Sequence, residues 1–292
     1  MLILISDAFD KGLPAKLARF GEVTDDTSRL PDADVVLVRS KTKCTKEYMD
    51  GAPKLKLIIR GGVGLDNVDR EYAKAKGIVV KNTPAASSIA VAELAMAFMA
   101  AIPARLIEGH MTMVNGQWAK KELKRTELFG KTLGLVGAGR IASEVAKRAK
   151  AFGMTVIAYD PYLKESDYAR LVPLDELLAK ADFISLHTPL TDETKGMINA
   201  ASIATMKDGV IIINTGRGKC IVEPDLAAAL RDGKVRAYGT DVWFSDPPPA
   251  DCPLLTAPNV FMTPHIGAET KENLLRIGVE VEKIIESFAG TA

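Results

Sequence analysis

Continuous apolar runs alternate with helical stretches from the first residues of the chain. LILIS, ADVVLVRS, LKLIIRG and GIVVKNTP are β-branched runs between residue 1 and about residue 85, and LPAKLARFG and DREYAKAKG read as helices lying between some of them. Strands that are apolar along their whole length belong to a parallel sheet covered on both faces. A long helix is predicted over SSIAVAELAMAFMAAI, with Ser87 or Ser88 placed to cap it and Pro103 to kink or end it. It is apolar nearly all round, which calls for burial on several sides, at a junction between domains or between subunits. A second alternating series opens near residue 131 with KTLGLVGAG, MTVIAYDP, FISLHTPL, GVIIINTG, VRAYGTDVW and VFMTPHIG. The pattern therefore predicts an α/β protein of two doubly wound parallel-sheet domains. The last helix, TKENLLRIGVEVEKIIESFAG, is expected to return to the first domain, so residues 1–98 with 270–292 form one domain and 99–269 the other.

Composition agrees with this and narrows the function. At 292 residues the chain has room for two cores. With 38 Lys and Arg against 37 Asp and Glu, the formal charge is +1 and there is no charged tail, which argues against nucleic acid as the main partner. Cys44, Cys220 and Cys252 are widely spaced and odd in number, as free thiols in a reducing compartment would be, so a cytoplasmic location is expected and neither a disulfide framework nor a metal site is. MLILISDAFDKG meets Asp7 without a preceding basic residue and reads as a strand, not a signal peptide. The most apolar stretch, Ile89 to Ile107, is interrupted by Glu93, Pro103 and Arg105, so no membrane span is expected.

The second series carries a nucleotide signature. Gly137, Gly139 and Ala142 in LGLVGAGRIASEV stand at G-x-G-x-x-G/A spacing between a strand and a helix, and a second strand ends in Asp160. Gly137 allows the tight turn, Gly139 lets backbone approach a pyrophosphate at the helix N-terminus, and Ala142 lets helix pack on strand. Asp160 is placed to accept both adenine-ribose hydroxyls and to repel a 2′-phosphate, and no arginine follows it, so NAD is expected over NADP.

Candidate chemistry gathers at strand ends of the same series. Of three histidines, His110 lies in a polar helical stretch, His187 ends a strand in LHTPL where it helps shape the cofactor site, and His265 in TPHIGAET is the candidate acid/base. Arg217 in NTGRGKC is placed to hold a carboxylate with a two-pronged pair, and TDVWFSDPP offers Asp241 and Asp246, one of which could orient the imidazole.

The order LVGAGRIA, HTPL, NTGRG, TDVWFSDP and TPHIGA resembles the D-isomer-specific 2-hydroxyacid dehydrogenase family over essentially the whole chain. Within it, VRSKTKCT, RGGVGLDNVD, AVAEL and NGQWAKKELKRTELFGKTLG are most similar to the phosphoglycerate dehydrogenase branch. The resemblance implies a flavodoxin-like substrate domain, a Rossmann domain with NAD spanning the cleft, and a homodimer built through the nucleotide domain. Arg217 would bind the substrate carboxylate, His265 would shuttle the hydroxyl proton with Asp246 beside it, and Asp241 would contact the nicotinamide amide. Arg140, Ile141, His187, Thr188, Pro189, Thr215, Gly216, Gly267 and Ala268 would complete the cofactor site. For a phosphorylated hydroxyacid substrate the candidates are Arg39 and Arg60 after strands of the first domain, the backbone of Gly62, Val63 and Gly64, and Lys120 and Lys121 on a loop that reaches a partner subunit in similar proteins.

The chain departs from the family at Asp246, where Glu is usual; an arm shorter by one methylene, about 1.5 Å at most, means that either the loop moves inward or the pair with histidine weakens, lowering its pKa and shifting the pH profile modestly. Oxidation of 3-phosphoglycerate, the entry to serine synthesis, is the expected activity. Glyoxylate and hydroxypyruvate reductases share the core motifs, and a non-enzymatic NAD-sensing corepressor is the alternative from another class. The sequence stops soon after its last helix, so no serine feedback through an appended regulatory domain is expected.

Overall fold

The structure is a computed structural model that describes residues 1–290. It divides into two units, Met1–Ala90 with the segment from Ala268 onward, and Val91–Gly267. The sequence pattern put these boundaries at 98/99 and 269/270. The first falls inside a continuous helix, Ser88–Ala101, where nothing in the local pattern marks a break.

In the first unit, β1 (Leu2–Ile5), β2 (Glu22–Thr24), β3 (Val35–Val38), β4 (Leu57–Arg60) and β5 (Val79–Asn82) form one sheet in the order β2-β1-β3-β4-β5, every pair parallel. That order is the flavodoxin-like one. Four of these strands follow from the apolar runs, but β2 does not. It pairs only with β1 at the sheet edge and is half exposed, so the three residues EVT need no apolar face. The helices α1 (Leu13–Leu17), α2 (Lys46–Asp50) and α3 (Arg70–Ala75) connect the strands. Successive strand residues point to opposite faces. Ile3, Val35, Leu57 and Ile59 meet Leu13, Leu17 and the C-terminal helix Lys271–Ala289 through Ile277, Val281 and Ile285, while Leu4, Val36 and Ile58 meet Met49 and Ala73. The last helix thus returns to the first unit, as its pattern predicts.

In the second unit, β6 (Thr132–Val136), β7 (Thr155–Tyr159), β8 (Arg170–Leu171), β9 (Phe183–Leu186), β10 (Val210–Asn214), β11 (Val235–Thr240) and β12 (Val260–Met262) are ordered β12-β11-β10-β9-β6-β7-β8, again all parallel. Strand order reverses between β6 and β9, and a ligand crevice opens at such a switch point beyond the carboxyl ends of the strands. The two-residue edge strand β8 is too short to leave a pattern. The helices are α4 (Ser88–Ala101), α5 (Leu106–Val114), α6 (Arg140–Ala151), α7 (Leu174–Lys180), α8 (Ala200–Thr205) and α9 (Glu223–Arg231).

Helix α4 buries Ala92, Ala95, Met96 and Met99 against Leu133, Leu135, Ile211 and Ile213 of the sheet, which accounts for its lack of a polar face. It ends two residues before Pro103. The expected serine cap is not formed: the Ser88 hydroxyl donates to the Pro84 carbonyl at 3.3 Å, and the buried Ser87 hydroxyl has no partner. Among the described residues, no single helix is long and apolar enough to cross a membrane.

Ile277 is fully buried where the C-terminal helix covers the first sheet. Replacing it with Ala removes its contacts and leaves a cavity, so Ile277→Ala should cost about 2–5 kcal/mol in denaturant unfolding of the first unit, whereas Ala at the exposed Leu275 should cost a small fraction of that.

Candidate active site

All the site elements of the second unit leave the carboxyl ends of its strands. After β6 the chain turns through Gly137 at φ +91°, and a Cβ there would stand 2.9 Å from the His187 carbonyl oxygen, so this position requires glycine. Gly139 is the N-cap of α6, has no side-chain cap, and faces open space, since a Cβ on it would meet nothing within 4 Å. Ala142 is buried against the sheet, as its motif position requires. The amides of Arg140 and Ile141 open the helix, and an uncapped N-terminus of twelve residues is suited to a pyrophosphate. At the end of β7 the Asp160 carboxylate accepts from the Ala138 amide at 3.0 Å and from the Tyr162 amide at 3.0 Å. Each oxygen keeps a second lone pair for a ribose hydroxyl. Beyond β9 and β10, two buried polar atoms, His187 Nδ1 and Thr215 Oγ1, have no partner within the protein. An open helix terminus, an anchored carboxylate and two orphaned polar atoms fit a dinucleotide.

Thr188 and Pro189 follow His187, and the Thr188 hydroxyl lies 3.8 Å from Cys220 Sγ. Cys220 is buried and desolvation raises its thiol pKa, the behaviour of a packed residue and not of a reactive thiolate. His187 Nε2 lies 2.9 Å from Ser185 Oγ, and removal from water pushes its pKa down to about 4. It is therefore neutral near pH 7. His110 is exposed on α5.

The loop after β10 carries Arg217. Asn214, fully buried, organises it: its Oδ1 accepts from the Gly216 amide at 3.0 Å and its Nδ2 donates to the Arg217 carbonyl at 3.0 Å. Arg217 itself donates to the Gly216 carbonyl at 2.8 Å. Gly218 packs so closely on Trp243 that a Cβ would lie 2.1 Å from its backbone carbonyl. The NTGRG pattern points to Arg217 and not to Asn214 or Gly218, although an Asn at its strand end is a turn signal.

His265 lies in the turn after β12 with φ +57°, a left-handed backbone unusual for a residue with a side chain. Its Nδ1 meets Asp246 Oδ2 at 2.5 Å. The contact is made at this distance despite the shorter Asp arm, so the longer contact from which a shifted pH profile was expected is absent. Asp241 is 2% exposed, and its carboxylate accepts from Thr263 Oγ1 at 2.6 Å, the Ile266 amide at 2.7 Å and the Gly267 amide at 2.7 Å. A cavity of about 380 Å³ opens beside His265, lined by Trp243, Asp246, Pro247, Pro248, Met262 and Thr263 among others.

In the first unit, Arg39 and Arg60 also follow strands. Arg39 is not open to an anion: both arms of its guanidinium meet Glu269, at 2.5 and 3.0 Å, so an incoming phosphate would have to share or displace that carboxylate. Arg60 folds over the glycine loop, donating to the Gly61 carbonyl at 3.4 Å, and a Cβ on Gly62 would collide with its guanidinium. The loop is tied down by the Gly62 amide to Thr83 Oγ1 at 2.7 Å and by Asn82 Nδ2 to the Val63 carbonyl at 2.6 Å, with Gly64 following. Ala268 starts the last segment, its carbonyl accepting from Asn273 Nδ2 at 2.5 Å. Lys120 and Lys121 are exposed.

Residues 96–267 match the D-isomer specific 2-hydroxyacid dehydrogenase, NAD binding domain. The chain belongs to the D-isomer-specific 2-hydroxyacid dehydrogenase family. It is 51% identical to a hydroxypyruvate reductase of Thermotoga maritima over 89% of this chain and 86% of that relative. It is 46% identical to a D-3-phosphoglycerate dehydrogenase of Methanocaldococcus jannaschii over 97% of this chain but 56% of that relative, so the chain spans a little over half the phosphoglycerate dehydrogenase's length. Among solved structures, the D-lactate dehydrogenase of Aquifex aeolicus complexed with NAD and lactic acid is similar at TM-score 0.87 and 34% identity, covering 100% of this chain and 96% of that one. The NAD complex of a formate dehydrogenase from Staphylococcus aureus matches at TM-score 0.86 and 32% identity, covering 99% and 95%. NAD is the cofactor of this dehydrogenase domain.

Two outcomes are expected. Because the His187 pKa falls from 6.5 to about 4 on folding, the unfolded chain binds the extra proton first as pH drops. Stability is then complete above pH 6.5 and falls towards pH 4, by at most about 1.4 kcal/mol per pH unit, and His187→Gln should flatten this slope in denaturation curves taken across the window. Asp160→Asn keeps an acceptor but removes the charge facing a 2′-phosphate, and should narrow the NAD-over-NADP preference in kcat/KM by at least about tenfold.

Proposed function

We propose that the chain is an NAD-dependent dehydrogenase that interconverts a D-2-hydroxyacid and its 2-ketoacid, with 3-phosphoglycerate and 3-phosphohydroxypyruvate as the physiological pair, on the route to serine. The observation that carries the reading is the His265–Asp246 pair at the same sheet edge as the Arg217 loop and the nucleotide turn. A carboxylate can only accept, so Nδ1 carries the proton in that pair and Nε2 is the nitrogen left for substrate. In oxidation, neutral Nε2 takes the hydroxyl proton; in ketoacid reduction, the imidazolium returns it to the carbonyl oxygen. Asp246 fixes the tautomer and offsets the charge when the ring is protonated. Arg217, stiffened by Asn214, grips the substrate carboxylate and polarises the keto oxygen beside it. NAD, when bound, supplies the hydride acceptor at nicotinamide C4. Gly137 and Gly139, with the α6 amides, hold its pyrophosphate, and Asp160 its ribose.

For the phosphate we assign Arg60, Arg39 in competition with Glu269, and Lys120 and Lys121 reaching the site of a second copy. A homodimer is supported by exposed apolar residues on and after α5, among them Leu106, Met113, Val114 and Trp118, which a second copy would cover. Three buried free thiols suit a reducing compartment, and the cytoplasm is the proposed location. Hydroxypyruvate reduction is the second reading. It is favoured by the 51% identical relative of that name, matched over most of its length, and by Glu269, which occupies one of the two arginines needed for a phosphate.

The deciding measurement is an NADH-oxidation assay comparing 3-phosphohydroxypyruvate, hydroxypyruvate and glyoxylate. A kcat/KM highest for the phosphorylated acid supports the first reading, and preference for hydroxypyruvate replaces it with the second. With either substrate, His265→Ala should lower kcat by roughly 10²- to 10⁴-fold with NAD binding retained. A decrease of less than about threefold would remove the imidazole from the mechanism.

A further inference from the structure

The acid/base reading leaves open what keeps His265 in its left-handed backbone. That conformation persists in a residue with a Cβ only where the surroundings over-determine it. The determinants lie on the neighbouring strand. Asp241, at the end of β11, brackets the turn from both sides, taking the Thr263 hydroxyl before His265 and the Ile266 and Gly267 amides after it. Gly267 makes the approach possible, because a Cβ there would stand 2.9 Å from Asp241 Oδ2. Two residues further along, Trp243 Nε1 donates to the Thr263 carbonyl at 3.2 Å. Thr263 is thus tied through its hydroxyl to Asp241 and through its carbonyl to Trp243.

We infer that Asp241, Thr263 and Trp243 form a clamp that positions His265, fixing the turn so that Nδ1 meets Asp246 and Nε2 faces the substrate. The inference rests on the acid/base reading of His265. It gives Asp241 a structural role in addition to the nicotinamide contact that the family resemblance implies, with three donors on a carboxylate of about four lone-pair sites. Thr263 acts only through the turn. Its hydroxyl is spent on Asp241, so the residue is a positioning one and its removal should disturb proton transfer without disturbing cofactor affinity.

The test compares Thr263→Val, which keeps shape and removes the donor, with Thr263→Ser, which restores it. With NADH and the preferred ketoacid, Val should lower kcat at least about tenfold, the scale of a small misplacement of a reacting group, while the KM for NADH stays within about twofold. Ser should stay within about twofold of the parent protein in both constants. A second readout needs no turnover. With three histidines in the chain, the His265 imidazole C–H signal can be assigned by substitution, and in Thr263→Val it should move towards its position in Asp246→Asn, but not in Thr263→Ser. An unchanged kcat in Val, a defect confined to the KM for NADH, or a kcat loss with the His265 signal unmoved would each overturn the clamp. If no ketoacid is turned over by any form, the proposed function fails and the NMR comparison alone decides the clamp. Should Thr263→Val not fold, Trp243→Phe removes the second tie and carries the same expectations.

Discussion

Every strand pairing in both sheets is parallel, and much of the chemistry follows from that constraint. A parallel sheet has helices on both faces, so its inner strands are apolar and offer few polar groups that a ligand could reach. Polar chemistry is confined to the strand ends, and parallel pairing puts all the carboxyl ends of one sheet on one edge. The nucleotide turn, Asp160, His187, Arg217, Asp241 and His265 each come from a different strand of the second sheet, yet all emerge at that edge.

Close backbone approaches then convert an edge into a site. Gly137 lets the first turn press against the His187 carbonyl, and Gly218 lets the arginine loop press against Trp243. A side chain at either place would push neighbouring loops apart. The same economy operates in the first unit, where Gly62 leaves room for the Arg60 guanidinium to lie over the backbone. These glycines matter for what they omit.

Environment separates the two strand-end histidines into different roles. His187 is withdrawn from water and lacks a charged partner, so it is neutral at physiological pH, as suits the wall of the proposed cofactor site. His265 is partly exposed and directly paired with a carboxylate, which suits the proposed acid/base role by leaving Nε2 accessible and fixing the tautomer. Residue type alone does not distinguish them. Arg39 and Arg60 are a parallel case: both follow strands of the same sheet, but Arg39 is held in both arms by the Glu269 carboxylate, whereas Arg60 lies over its own glycine loop.

The sequence by itself determined the α/β class, ten of the twelve strands found among the described residues, the glycine turn with its distant Asp160, and the residue types that gather at the strand ends. These are local properties, written in apolar runs and in glycine spacing over a single strand–turn–helix unit. The edge strands β2 and β8 left no such mark, because a strand of two or three residues at a sheet margin needs neither length nor an apolar face. Only the tertiary structure decided that Asp246 reaches His265 despite its shorter arm, that Glu269 occupies Arg39, and that Asp241, Thr263 and Trp243 converge on one turn. Each of these is a contact between segments 19 or more residues apart, set by strand register and loop path, and no local periodicity encodes which long-range partner a polar side chain will find.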